Sequence, residues 1–394
     1  MMTAVQRLIV LFAVAVPALG AVAPKGTVAA VLVPGIAGLA LWIKEGLPAI
    51  SIDRSLTLSL AALAAWAAIT AIWAPNPVGA LLLLGGLVAV SLAGFGLSFA
   101  VSRLDEVRRR RADGLLLVGL VLGVAALAVG YSYAKATGDS LWGQYFSDPL
   151  TTLNNGAIVI GLFAWPACAA LWRRGRAWII ALAAPALFIG FAFLSSGAAL
   201  LAPLCGLAAF AIVWFFGRRG AWALAAVFFV ASLTAPQLVS SPLFTDATAK
   251  MAEILPSSAQ HRLKMWAFAV EKIDEKPIKG WGMDASRSIP QDDRRLAPNV
   301  EIMPLHPHNA FLQARLELGL PGAAIVAVLL GILFAGAIGG IGAPTPRAFA
   351  AGAACAYLAV AAVSYGAWQN WWVATAWALA ALMAAVLRPA SPGS

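Results

Sequence analysis

Residues 306–319 read His306-Pro307-His308-Asn309-Ala310-Phe311-Leu312-Gln313-Ala314-Arg315-Leu316-Glu317-Leu318-Gly319 and close a polar segment, 240–320, in a chain that is otherwise apolar. Such an interruption has to lie outside a bilayer, because unpaired backbone groups and charged side chains are too costly in hydrocarbon. All three histidines, His261, His306 and His308, fall within it, together with a cluster of arginines and lysines. The segment reads as the functional face of an integral membrane protein.

Over its whole length, 61% of the chain is hydrophobic and 11% charged, against about 25% charged in soluble domains. Apolar segments near the ~20 residues a helix needs to cross occur at about 7–23, 27–43, 55–73, 78–101, 114–133, 155–172, 177–194, 198–216, 221–239, 320–340, 348–366 and 371–387. The expected fold is all-α: a polytopic membrane protein of about twelve transmembrane helices with one large loop that holds short helices. As one membrane domain it divides into 1–239 (helices 1–9), the loop 240–319, and 320–394 (helices 10–12 and a tail). The run 8–23 resembles a signal peptide, but further spans follow at once, so it reads as an uncleaved first helix.

Charge sets the expected orientation, since short cytoplasmic loops hold Lys and Arg. With the N-terminus inside, the inside loops carry Lys44 and Arg54, Arg103 and Arg108 to Arg111, Arg173, Arg174 and Arg176, Arg218 and Arg219, Arg347, and Arg388. The other connections are short and nearly uncharged: Pro24-Lys25, Ala74-Pro75-Asn76-Pro77, Ser195-Ser196-Gly197 and Trp368-Gln369-Asn370. Both termini are thus expected in the cytoplasm, and residues 240–320 outside with the smaller loop 131–153. The net charge of +10 is an orientation signal with some attraction to anionic lipid, and does not call for nucleic acid. The arginines after Val107 read as a solvated loop. Cys168, Cys205 and Cys355 lie in apolar runs and read as packing residues.

Loop 131–153 is aromatic, with Tyr131, Tyr133, Trp142, Tyr145 and Phe146 among Asp139, Gln144 and Asp148. These rings either stack on sugars or settle at the membrane interface. Asn154 and Asn155 read as a helix cap. In the large loop, Ser257-Ser258-Ala259-Gln260 has capping-box spacing, and Leu263, Trp266, Val270 and Ile273 recur at helical intervals up to Pro277. Arg262 falls in the first turn, where an anion is already favoured and a guanidinium adds a planar fork for phosphate oxygens; the alternative is that it snorkels to the lipid surface. Lys279-Gly280-Trp281-Gly282 reads as a tight turn. Arg287, Arg294 and Arg295 follow among Asp284, Asp292 and Asp293 as a salt-bridged loop.

Asn309 is a good cap for a short helix ending at Gly319, before Pro321. His308 then sits just ahead of a helix N-terminus, where imidazolium is disfavoured and a neutral ring able to accept a proton is expected. Arg315, seven residues on, is expected on the same face. His306 reads as a supporting or structural residue.

At these residues the sequence resembles the superfamily of O-antigen ligases and O-antigen polymerases. The resemblance rests on Arg262-Leu263-Lys264-Met265-Trp266, on Pro277-Ile278-Lys279-Gly280-Trp281-Gly282, and on His308-Asn309 with Leu312-Gln313, Glu317-Leu318-Gly319 and Pro321-Gly322. It implies a GT-C-like membrane glycosyltransferase in the bacterial inner membrane with a large periplasmic catalytic loop. It implies transfer of glycan from undecaprenyl diphosphate to a hydroxyl acceptor, with no metal or other cofactor. By resemblance His308 is the catalytic histidine and Arg262 a diphosphate-binding arginine; Arg287, Arg294, Arg295 and Arg315 are further candidates for the diphosphate, with His306, Asn309 and Trp281 as secondary residues. One departure stands out: where the family commonly has Ser-Arg-Gly before the eighth span, this chain has Ser195-Ser196-Gly197.

The chemistry is consistent with that resemblance. Breaking a sugar–diphosphate bond leaves negative charge that a metal or cations must stabilise. The first outer connection has no carboxylate to hold a metal, so arginines are the expected means. His308 would take the acceptor proton, and a single displacement would invert the anomeric carbon. An acceptor on lipid A core makes the protein a ligase, and a carrier-linked repeat unit makes it a polysaccharide polymerase. The rival from another class is a lipid-linked glycan transporter or flippase, but such proteins place ionisable groups at mid-membrane, where these spans have almost none.

Overall fold

The computed structural model describes residues 2–48, 52–141, 149–194, 196–251, 253–291, 293–297 and 300–388. Thirteen α-helices follow in chain order: α1 (Met2–Val22), α2 (Thr27–Lys44), α3 (Arg54–Thr70), α4 (Pro77–Ser102), α5 (Glu106–Thr137), α6 (Pro149–Arg173), α7 (Ala177–Phe193), α8 (Gly197–Ser240), α9 (Pro242–Lys250), α10 (Ser257–Glu275), α11 (Ala310–Gly331), α12 (Pro344–Val363) and α13 (Asn370–Leu387). The strands among the described residues are β1 (Arg295–Ala297) and β2 (Val300–Glu301), paired antiparallel within the polar segment. Among the described residues, ten helices are long and apolar enough to cross a membrane. The chain is a multi-pass, all-α membrane protein.

Those ten helices and the twelve apolar segments of the sequence agree once α8 is divided. Its 44 residues would reach roughly 66 Å as one helix, about twice the ~30 Å hydrocarbon core. The backbone leaves helical geometry at Gly217 (φ 58°, ψ −130°). Three residues on, a Cβ at Gly220 would sit 2.6 Å from the Ile212 carbonyl oxygen, whereas a straight helix holds residues eight apart about 12 Å from each other. The chain therefore doubles back at Gly217-Arg218-Arg219-Gly220, and α8 is two crossings. The remaining segment is α7, apolar but only 17 residues long.

Small residues let the helices touch. Where α2 meets α4, a Cβ at Gly35 would lie 2.3 Å from the Ala93 carbonyl oxygen and one at Gly38 2.1 Å from that of Gly96. Close backbone contact of this kind holds helices together in lipid, where hydrophobicity gives them no net attraction.

Polar contacts gather at two opposite ends. At one, Arg103 pairs with Glu45 at 2.5 Å, Arg109 with Glu106 and Arg173 with Asp113, while Arg109 and Arg173 also donate to the carbonyls of Arg388 and Val386 at 3.0 Å. The arginines after Val107, expected as a solvated loop, are instead the first turns of α5. Asp105 caps that helix through the Arg108 amide (2.8 Å), and Arg109, 2% exposed, is held by Glu106. At the other end the connections around Lys25, Ala74 and Gly366 meet the long polar segment: Gly282 packs on Ala74, and Gly366 on the His306 ring. There α9 turns apolar side chains outward, with Leu243 83% and the following Ile254 79% exposed.

Two expected caps differ. The α10 capping box does not form: Pro256 is the N-cap and the Gln260 amide donates to Leu255 O (2.9 Å), because proline starts the helix by its fixed φ. α6 begins at Pro149, so Asn154 and Asn155 lie within the helix rather than capping it. Residues 142–148, Ser195 and Asp292, which the sequence reading singled out, lie outside the described residues.

Candidate functional site

The long polar segment is bolted to the N-terminal half of α11. The amides of Trp281 and Gly282 donate to the carbonyls of Leu316 and Glu317 (2.9 and 2.8 Å), and that of Leu320 to Ile278 O (3.0 Å). Gly280 (φ 69°) and Gly319 (φ 65°) face each other across this joint; a Cβ at Gly319 would lie 2.0 Å from Ile278 O, and one at Gly280 2.5 Å from Glu317 O. Only glycine combines that left-handed backbone with so close an approach. The Pro277 to Gly282 and Glu317 to Gly319 motifs are thus two halves of one joint.

Glu317, fully buried, is its centre. Its carboxyl oxygens accept from the Asp284 amide (2.7 Å), Ser286 Oγ (2.5 Å), Gln313 Nε2 (3.0 Å) and Trp368 Nε1 (2.9 Å), which satisfies a buried polar group with donors rather than a cation. Three more indoles act as tethers. Trp281 Nε1 donates to Lys272 O (2.7 Å), Trp66 Nε1 to Leu318 O (2.8 Å) and Trp266 Nε1 to Pro307 O (2.8 Å). The last explains the spacing in Arg262 to Trp266, since it fixes α10 against the His306-Pro307-His308 turn.

Asn309 caps α11 as expected, accepting from the Phe311 and Leu312 amides at 3.1 Å. The backbone reverses at His308, which has φ 53°. Its amide donates to His306 Nδ1 (3.1 Å), and the two ring centroids are 4.3 Å apart. His308 Nδ1 is hydrogen-bonded to Ser364 O. A carbonyl oxygen only accepts, so Nδ1 carries the proton and Nε2 holds a free lone pair. Burial, with Arg262 nearby, holds the His308 ring below its ordinary pKa near 6.5. Burial, with His308 and Arg287 beside it, pushes His306 down to about 3. Both rings are neutral at pH 7.

The candidate cations fall into different places. Arg262, half-buried in the first turns of α10, is held below the usual arginine range by burial, lies near Tyr365, and has no carboxylate partner among the described residues. Arg287 pairs with Asp284 (3.2 Å), and Arg294 pairs with Glu271 (2.6 Å) over the Phe268 ring. Arg287, Arg294 and Arg295 line one cleft of about 340 Å³. Arg315, 8% exposed, donates to Pro277 O at 2.7 Å and so holds the joint. Ser196, at the position where arginine is common, caps α8 through the Ala199 amide (3.4 Å).

A second cavity, of about 350 Å³, lies against His306, with Lys25, Arg287, Trp368 and Trp371 in its walls. Sequence reasoning missed this side. Ser364, which fixes the His308 tautomer, and Tyr365, whose hydroxyl donates to Asn155 Oδ1 (2.8 Å), sit in the connection after α12, whereas the sequence reading placed them inside the apolar span 348–366. The available signal was its polarity: Ser364-Tyr365 and Trp368-Gln369-Asn370 interrupt two apolar runs.

The fold and this arrangement define a class, a multi-pass helical membrane protein with imidazole, guanidinium and indole groups collected at one end. Residues 181–327 match the family model described as O-antigen ligase, a stretch that contains Arg262, both imidazoles and the joint. Relatives named "Putative polysaccharide ligase" are similar over most of the chain. The one from Rickettsia felis is 25% identical over 341 residues (82% of this chain, 79% of the relative). Those from Rickettsia bellii and Rickettsia typhi are 28% identical over 338 residues (83% and 79%) and 26% over 287 (70% and 67%). The chain is thus similar to O-antigen ligases, as its loop motifs indicated.

Proposed function

We propose that the protein is a membrane glycosyltransferase of the O-antigen ligase type, moving a glycan from undecaprenyl diphosphate to a sugar hydroxyl of lipid A core. The observation that carries this reading is the His308 tautomer: Nδ1 is committed to Ser364 O, Nε2 holds a lone pair, and Arg262 lies beside the ring with no carboxylate partner among the described residues. A neutral base next to an available cation suits the reaction. Nε2 accepts the proton of the acceptor hydroxyl as that oxygen bonds to the anomeric carbon. The bond from that carbon to the diphosphate oxygen breaks in the same displacement, so configuration inverts. Charge left on the diphosphate is taken up by Arg262, and by Arg294 or Arg295 where the carrier reaches their cleft. In this reading residues 240–319 form the periplasmic catalytic loop, and the arginine-rich end, with both termini, faces the cytoplasm.

The names of the relatives favour a ligase over a polymerase. The test is incubation of the purified protein with undecaprenyl-diphosphate-linked glycan and lipid A core. New glycan on the core is expected. Longer carrier-linked chains would make it a polymerase, and movement of the lipid with no new glycosidic bond would overturn the enzymatic reading.

A further inference from the structure

Asn155 is a polar side chain on the His308 side that the proposed chemistry leaves unused. It lies in the second turn of α6, far in sequence from its partner Tyr365, whose hydroxyl donates to Asn155 Oδ1 at 2.8 Å. Tyr365 is 8% exposed, and Trp371 and Trp372 hold its ring, with centroids 4.7 and 4.8 Å away. Its chain neighbour Ser364 supplies the carbonyl that fixes His308.

The same corner receives Arg262. It precedes Trp266 by one turn of α10, and Trp266 is tied to Pro307 O, so both side chains face the histidine turn; Arg262 lies near Tyr365. A guanidinium only donates, so the phenol oxygen turns lone pairs to Arg262 and its proton to Asn155. That sets the amide: Oδ1 is taken, and Nδ2 points away with its two N–H groups. Asn155 is half-buried, and its Nδ2 is not among the buried atoms and has no partner among the described residues. What Asn155 and Arg262 offer a ligand is therefore N–H groups. A sugar hydroxyl both donates and accepts, whereas a diphosphate oxygen only accepts, and a set of donors suits the second.

We infer that Asn155 Nδ2 binds a diphosphate oxygen of the glycan carrier beside Arg262, and that Tyr365 positions it by holding Oδ1. The inference rests on the transferase reading for the identity of the carrier, while diphosphate binding can be measured apart from transfer. In an inverting displacement the base and the leaving group stand on opposite faces of the sugar, so a diphosphate contact belongs near His308 but not on it.

The experiment titrates the full chain in nanodiscs with farnesyl diphosphate and with farnesol, followed by ligand-observed NMR. The wild type should prefer the diphosphate; equal binding of the two overturns the contact. Asn155→Ala should weaken diphosphate binding about tenfold, the scale of one charge-assisted hydrogen bond, and leave farnesol unchanged. Tyr365→Phe loses the same bond to Oδ1 but keeps the Asn155 N–H groups, so its effect should be smaller, about threefold. The double variant should match Asn155→Ala alone, because Tyr365 acts through Asn155. Asn155→Asp keeps an oxygen for Tyr365 and with it the thermal midpoint, yet should lose diphosphate binding as fully. Wild-type affinity in either Asn155 variant overturns the contact, and additive losses in the double variant overturn the positioning by Tyr365. Diphosphate binding without any glycan transfer refutes the transferase reading and leaves the contact standing. Transfer with the wild-type KM in Asn155→Ala refutes the contact alone.

Discussion

The Nδ1 atom of His308 lies against the carbonyl oxygen of Ser364, the residue that closes α12. One backbone acceptor thereby decides which ring nitrogen can act as a base. Because the partner is a main-chain oxygen, no substitution at residue 364 removes it without moving the helix end.

Replacing His308 by alanine should lower the rate of glycan transfer by about 10²- to 10⁴-fold, the usual contribution of general base catalysis. Abundance in the membrane and thermal midpoint should hold. A variant that keeps the wild-type rate refutes the assigned role.

The pH profile follows from the direction of the shift. His308 titrates below its ordinary value near 6.5, chiefly because it is buried, so its basic form dominates at neutral pH. Activity should be flat above neutrality and fall as acid protonates the ring. A rate profile whose acid limb has its midpoint above 6.5 would contradict this environment.

His306 gives a stability effect of its own. Its folded value is about 3 against 6.5 for the free side chain, so between those values the unfolded chain binds the extra proton. This contribution is complete above about 6.5 and is lost as pH falls toward 3. The thermal midpoint of the detergent-solubilised protein should decline across that window, and His306→Gln should flatten the decline.

Two arginines of the same segment should separate by readout. Arg262→Gln removes a cation that no carboxylate among the described residues holds, so transfer should drop by about tenfold or more with the fold intact. Arg315→Gln removes the bond to Pro277 O in a residue only 8% exposed, so stability should fall by roughly 1–3 kcal/mol. Melting curves alongside initial rates check both; a swap of the two effects would reverse the assignment.

Gly319→Ala should be among the most damaging small changes. The added methyl would sit 2.0 Å from Ile278 O at a residue with φ 65°, so the joint has to open or α11 has to shift. Poor expression or a much lowered midpoint is expected, and near-normal melting would show that the joint yields.

The sequence made the membrane class, the spans, the start of α11 and its break at Gly319 legible because each rests on local chemistry: apolar length, Asn309 as a cap, Gly319 before Pro321; the helix expected to stop at Gly319 runs on past that break to Gly331. His308 and Arg262 stood out by residue type within one polar segment. What stayed hidden was non-local. Glu317 draws its four kinds of donor from residues 284, 286, 313 and 368, and Ser364 reaches His308 across 56 positions. Periodicity carries no trace of such pairings. Charge type also misled in one place, since Arg109 is an arginine buried by an ion pair where exposure was expected.

The outward apolar side chains of α9 and of Ile254 lie next in the chain to the helix that carries Arg262. With the polyprenyl-linked donor proposed above, a greasy skirt at that position would let the carrier reach the site by sliding within the leaflet, never passing through water. Encounter would then be a two-dimensional search, and turnover would follow the carrier's surface density in the membrane rather than its bulk concentration.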